Sequence, residues 1–330
     1  MGTRAGSALA HRPELILGTM RAMSEAAEII EGTWAIPVPT PFGGHTVAYL
    51  LAEDTGFSLI DTGWGSREGL AALMAGIEQA GFTPDDLNGA AVTHHHYGHA
   101  GLLQALNQPN IWCGIHGHEL KTLKDIRDGK APTAGFEVAV PRVPAGTVLL
   151  ADGARLPLSG RTVRAVWTPG HAFGHTVFAE DHPAGTLLYS GDHVPSEEIS
   201  PAGRLGLDVS YLSRAVEAYI ESLTKLEQLQ PDTFVLPGEG RPFHGLHQRV
   251  QQIVQARAAR TAAAAHAAES ANSAAHAHGQ LTVANITDKI TGRHHQPAGS
   301  FARFATLMDT AAHMYAAAIP VSELPSWHGR

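Results

Sequence analysis

The stretch Thr93-His94-His95-His96-Tyr97-Gly98-His99 places four of the chain's 21 histidines within seven residues. It follows the stretch Asn88-Gly89-Ala90-Ala91-Val92, and residues 88–93 are expected to form a short buried strand that delivers the histidines at its end. In extended backbone, side chains two apart point the same way. His94 and His96 therefore converge on one point while His95 faces elsewhere. His99 falls at the start of a helix expected from about Ala100 and reaches the same pocket from the side. Histidine is the commonest protein metal ligand, which makes this cluster a candidate metal site.

Working outward, three more apolar runs end in polar, Gly-containing loops that carry ligand-type residues: His171 in TPGHAFGH (168–175), Asp192 in YSGDHV (189–194) and Glu239 in LPGEG (236–240). A metal site needs ligands gathered from separate elements by a rigid scaffold, and loops at strand ends supply them. Imidazoles with carboxylates suit zinc, manganese or iron rather than a soft thiolate-bound ion, and Cys113 lies outside every cluster.

The remaining pattern alternates strands and helices. TWAIPV (33–38), TVAYLLAE (46–53) and FSLIDTGWG (57–65) read as an antiparallel meander. Helices are expected over Pro13 to Ile30, over 66–80 opened by Ser66, over 118–129 and over about 209–229. Composition shifts near residue 245. Residues 247–278 form an Ala-rich helix, followed by two amphipathic helices in 281–290 and 300–318. The division expected is 1–245 for a metal-binding catalytic domain and 246–330 for a small all-helical domain.

The chain has 330 residues, 44% apolar and 16% charged, enough to bury a large core. Its formal charge of −8 argues against a general polyanion binder, so no nucleic-acid partner is expected. A single cysteine allows no intramolecular disulfide, and no terminal stretch has the form of a secretory signal; the expected location is the cytoplasm. No apolar run is long enough to span a bilayer, so no membrane partner is expected.

The ordered series DTGW (61–64), HHHYGH (94–99), TPGH (168–171), SGDH (190–193) and LPGEG (236–240) resembles the metallo-β-lactamase superfamily over residues 32–243. The resemblance implies an α+β fold, an αββα sandwich, with a dinuclear site at the lip of two sheets. The C-terminal helices are similar to the winged-helix-like domain of the subgroup that includes β-lactamase-like protein 2. Carried over by position, His94, His96 and His171 would hold the first metal and Asp192 would bridge to a second. The chain keeps His99 for that second metal, but Gly98 stands where the family has Asp, and Glu239 where it has its last His. Two outcomes stay open: a second site made by His99, Asp192 and Glu239, or one metal with Glu239 as general base or structural acceptor.

The function expected is hydrolysis of a small-molecule ester, lactone, thioester or amide by metal-activated water, with Asp192 and Glu239 as the catalytic carboxylates and one or two divalent ions as cofactor, zinc foremost, manganese or iron as the other options. An iron-dependent oxygenase on the same fold is the alternative, with a nuclease or an inactive binding protein behind it. Asp61 is expected either to orient a ligand histidine or to bond local backbone where its strand turns. His95 and His175 are expected in packing or supporting roles, and His116 and His118 as structural. Trp64 and Tyr97 are either pocket wall or core. His266, His276, His278, His294 and His295 are expected on solvated helix faces, and the C-terminal helices as a lid over the active-site mouth or a homodimer surface.

Overall fold

The computed structural model describes residues 25–106, 110–130, 146–203, 209–274, 282–291, 301–321 and 324. Its first sheet has seven strands in the order β1 to β7: β1 (Ala27–Ile30), β2 (Thr33–Pro39), β3 (His45–Ala52), β4 (Phe57–Ile60), β5 (Leu87–Ala91), β6 (Trp112–Ile115) and β7 (Thr147–Leu149). β1 to β4 are antiparallel, which bears out the meander, and β4 to β7 are parallel. The second sheet has the order β11-β10-β9-β8, with β8 (Val163–Trp167), β9 (Thr176–His182), β10 (Gly185–Gly191) and β11 (Phe234–Pro237).

Helices cover the outer faces. α1 (Arg67–Gln79), α2 (Tyr97–Ala100) and α3 (Gly117–Arg127) flank the first sheet; α4 (Val209–Leu212), α5 (Ala215–Leu226), α6 (Leu246–Ala274), α7 (Val283–Thr291) and α8 (Phe301–Ala316) complete the chain. α1 starts where the sequence places it, because the Ser66 hydroxyl accepts a hydrogen bond from the Gly69 amide (2.9 Å) and so caps the first turn.

Three apolar clusters follow the alternation of the strands. Ala35, Val47, Tyr49 and Leu51 face Val163, Ala165, Phe178 and Tyr189 between the sheets. The opposite side chains of the first sheet, Ile36, Ala48, Leu50 and Leu59, meet Leu73 and Ile77 of α1. Val177, Ala179 and Leu188 on the outer face of the second sheet share one cluster with Tyr219 and Leu223 of α5, Ile253 of α6, Ile286 of α7 and Met308 of α8. The αββα sandwich is therefore present, and the C-terminal helices bury their apolar faces in its outer layer.

Two expectations change. Residues Ala27–Ile30 of the supposed leading helix form β1, because Gly32 at φ 70° turns the chain back and Ala27 pairs with Ala35; residues 1–24 lie outside the described residues. The helix expected over 209–229 is two helices, α4 and α5. The tight bond from the Arg214 amide to the Tyr211 carbonyl (2.9 Å) and the Ser213 hydroxyl bonded to the Ser210 carbonyl (2.9 Å) divide them. Among the described residues beyond Leu246 no strand occurs, so no wing is seen there.

Five strand ends meet at one edge. β4 runs into Asp61, β5 into Thr93 to His99, β8 into Thr168 to His171, β10 into Asp192 and β11 into Gly238. Strand pairing holds these ends at fixed spacing, so residues far apart in sequence converge without help from flexible loops.

Candidate metal centre

His94, His96, His171 and Asp192 are buried, and one nitrogen or carboxylate oxygen from each lies within 4.8 Å of all the others. His94 Nε2 is 2.8 Å from His96 Nδ1, and His171 Nε2 is 3.0 Å from the same atom. Asp192 Oδ2 is 3.2 Å from His171 Nε2 and 3.8 Å from His94 Nε2. Bonds of about 2.0–2.1 Å to a tetrahedral ion put neighbouring ligand atoms about 3.3 Å apart, so these separations fit a single ion.

Hydrogen-bonded neighbours fix which nitrogens face inward. The Thr93 hydroxyl donates to the Asp61 carboxylate (3.0 Å), so His94 Nδ1, 3.0 Å from that hydroxyl, must donate to it. His171 Nδ1 donates to the Pro201 carbonyl (2.9 Å). In their neutral forms both rings then aim an Nε2 lone pair at the Asp192 carboxylate. Lone pairs facing a carboxylate in a buried site repel unless a cation lies between them. The donor set therefore fits a divalent metal. Burial, followed by the neighbouring imidazoles, pushes the His94 pKa well below its ordinary value, which keeps the ring neutral and able to ligate.

His99 is outside this group but touches it. Its Nδ1 lies 2.8 Å from Asp61 Oδ2 and its Nε2 3.1 Å from Asp192 Oδ1. Burial opposes charge on this ring, but Asp192 and Asp61 on its two sides outweigh burial and raise its pKa well above the ordinary value. Asp61 also accepts the Thr93 amide (2.7 Å), and these bonds hold its backbone at φ 58°, a conformation few residues other than Gly adopt.

Of the two departures from the family pattern, Gly98 is close-packed, and Glu239 follows a close-packed glycine, Gly238. A Cβ on Gly98 would come within 2.8 Å of Thr46 Cγ2, so Thr46 of β3 fills the space that a side chain there needs. Gly238 lies over the His99 ring, where a Cβ would approach His99 Cε1 to 2.5 Å. Its amide bonds to the Gly191 carbonyl (2.9 Å) and its carbonyl accepts from the Val47 amide (2.8 Å). Glu239, next in the chain, is exposed and supplies no atom to the four-ligand group.

Among the other singled-out residues, Trp64 and Tyr97 are core, packed 6.0 Å apart between ring centroids. His116 stacks on Trp167 and His118 on Phe173, and neither belongs to the converging group. His266 is exposed on α6, while His276, His278, His294 and His295 lie outside the described residues. His175 is buried 5.0 Å from His94, with Nδ1 on the Thr168 hydroxyl (3.0 Å).

Sequence reasoning missed Glu119. This buried carboxylate of α3 accepts the His95 amide (2.8 Å), the Gly174 amide (2.6 Å) and His95 Nδ1 (2.5 Å). It ties the loop of His94 and His96 to the loop of His171. The only sequence signal was the proximity of an acid to HGH, which by itself does not distinguish it from an exposed helix residue.

The family model described as the metallo-beta-lactamase superfamily matches residues 41–239. The chain is 28% identical over 258 residues to a protein of Bacillus subtilis named probable metallo-hydrolase YqjP, covering 67% of this chain and 76% of that one. A hydroxyacylglutathione hydrolase of Pseudomonas putida is 30% identical over 109 residues, 32% of this chain and 33% of its own. A crystal structure of a metallo-beta-lactamase family protein from Thermus thermophilus superposes with a TM-score of 0.71 at 22% identity, covering 88% of this chain and 94% of that one, which supports the fold. Motif order, sandwich and ligand geometry agree with the family match: the chain belongs to the metallo-beta-lactamase superfamily.

Proposed function

We propose that this chain is a metal-dependent hydrolase that acts on an ester, lactone, thioester or amide of a small molecule, with one zinc ion held by His94, His96, His171 and Asp192. The observation that carries the reading is the convergence of three imidazole nitrogens and one carboxylate oxygen at a buried point, with two of the rings set by hydrogen bonds to present their Nε2 lone pairs. A divalent ion in such a site lowers the pKa of bound water toward neutrality and polarises a carbonyl oxygen.

The chain's own residues supply orientation and proton handling. Asp192 stays ionised, because the charges and hydrogen bonds of His99 and His171 outweigh burial and hold its carboxyl well below the usual range, so it serves as a ligand and an orienting acceptor. His99 Nε2 stands 3.1 Å from Asp192 Oδ1, and Asp61 holds the ring in place. Glu239 is exposed next to Gly238, which covers His99, so in this reading it is not a ligand. A single ion is favoured because one converging group is present among the described residues and the family's Asp position is filled by Thr46. The net charge of −8 favours a small substrate over nucleic acid. No helix among the described residues is long and apolar enough to cross a membrane.

Elemental analysis of untagged protein purified without added metal, paired with hydrolysis of lactone, ester and thioester substrates, tests the proposal. A single equivalent of zinc that is lost in H96A together with turnover is the expected result. Iron with oxygen consumption, or turnover that survives H96A, would sink it.

A further inference from the structure

We infer that Arg257 and Asp309, contributed by the C-terminal helices α6 and α8, are positioning residues of the metal centre. The inference rests on His171 and Asp192 being metal ligands, as proposed above. The link runs through residues 200–203. Pro201 supplies the carbonyl that orients His171 (2.9 Å), and the peptides on each side of it are held from outside the sandwich: Arg257 Nη2 donates to the Ser200 carbonyl (2.5 Å), and the Ala202 amide donates to Asp309 Oδ1 (2.8 Å). Gly203 then donates to the Gly170 carbonyl (2.8 Å), immediately before His171.

Arg257 reaches the second ligand loop as well. Its guanidinium lies 3.6 Å from the centroid of the Tyr219 ring, and the Tyr219 hydroxyl donates to the His193 carbonyl (2.7 Å) and lies 3.1 Å from the Asp192 carbonyl. One buried side chain thus braces the turn bearing Asp192 and the segment that orients His171. Eight residues earlier, on the same face of α6, Arg249 donates to the carbonyls of Pro195 (2.7 Å), Glu197 (2.8 Å) and Glu198 (3.0 Å). α6 therefore grips the chain from 195 to 200 by its backbone, whatever side chains the loop carries.

A buried guanidinium is costly unless paired, and Asp309 Oδ1 stands 3.7 Å from Arg257 Nη1, with Arg260 Nε 2.5 Å from Oδ2. The three charges are more than filler for the helix packing. Two of them end on the segment that aims a ligand nitrogen. Removing the direct partner of a ligand ring typically changes metal affinity about 10- to 100-fold, and Arg257 and Asp309 hold the peptides on either side of that partner, Pro201.

The test uses the full chain and zinc, with affinity read by chelator competition and geometry read from the visible absorption of the cobalt(II)-loaded protein. D309A and R257M are expected to weaken zinc binding by up to about tenfold and to alter the cobalt spectrum. D309N keeps a carbonyl acceptor for the Ala202 amide and is expected to retain most of the affinity. Unchanged zinc affinity and cobalt spectrum in D309A and R257M, even with a lower melting temperature, would overturn the inference. Should R257M not fold, the comparison of D309A with D309N decides alone. Wild-type protein that binds zinc no better than H96A would refute the metal reading itself, and this inference with it.

Discussion

At residue 98 a hydrogen atom stands where the family places a carboxylate, and Thr46 occupies the space released. Thr46 Oγ1 is buried with no hydrogen-bond partner, so this hydroxyl is tolerated there rather than used. Restoring the acid must push Thr46 back into a strand that pairs on both sides. G98D is therefore expected to lose about 1–3 kcal/mol of unfolding free energy through overpacking, without gaining a second metal equivalent. The double variant T46A/G98D should recover much of that loss, since the methyl it clashes with is gone and an unpaired hydroxyl leaves with it. Urea denaturation of the three proteins decides: a G98D variant as stable as wild type would show that the 2.8 Å approach relaxes freely and that packing does not explain the glycine.

Between elements, what binds one loop to the next decides how well the ligands are held. The strands before the ligands were legible because their apolar runs are short and end in Gly-containing turns, and a strand end is where a period of two stops. His94, His96, His171 and Asp192 were legible for the same reason, since each follows such a run directly. Glu119, Arg257 and Asp309 were not, because their partners lie 24 to 107 residues away and the helices that carry them show an ordinary amphipathic pattern. Only the meeting of α3 with two loops shows what Glu119 does. Burial pushes its carboxyl up, but the His95 ring, the His95 amide and the Gly174 amide bring it down to about 2. A carboxylate with its pKa lowered in the fold adds stability above its unfolded value of 4.5 and loses it as pH falls toward about 2. E119Q preserves volume but turns an acceptor into a donor facing the His95 amide. It is expected to cost about 2–3 kcal/mol at pH 7, and the gap to wild type should shrink as pH approaches 3. A gap of constant size across that range would count against a charged, hydrogen-bonded Glu119.

Across the whole molecule, the outer face of the second sheet and α5 to α8 share one apolar cluster, so a change in the C-terminal helices is expected to register in the stability of the sandwich. His313 of α8 is buried among these helices, with Nδ1 2.7 Å from the Thr261 hydroxyl of α6, Asp309 Oδ1 3.8 Å from Nε2, and the charges of Arg257 and Arg260 nearby. Burial is the largest influence and, with the two arginines, outweighs the Asp309 carboxylate, lowering the His313 pKa from 6.5 to about 4. The unfolded chain takes up the proton first. Stability from the neutral ring is therefore complete above pH 6.5 and is lost as pH falls to about 4, a difference worth about 3 kcal/mol. His94, His175 and His193, also lowered by burial, act in the same direction, but they are present in both proteins when wild type is compared with H313Q. Gln at 313 can still pair with Thr261 and does not titrate. Unfolding free energies measured by urea at pH 7, 6, 5 and 4 should show H313Q below or equal to wild type at pH 7 and gaining on it by up to about 3 kcal/mol at pH 4. Parallel curves would mean that His313 takes up its proton in the folded protein at an ordinary pH. The α6–α8 contact would then be open enough to admit a charge, which the burial of Thr310, Ala312 and His313 argues against.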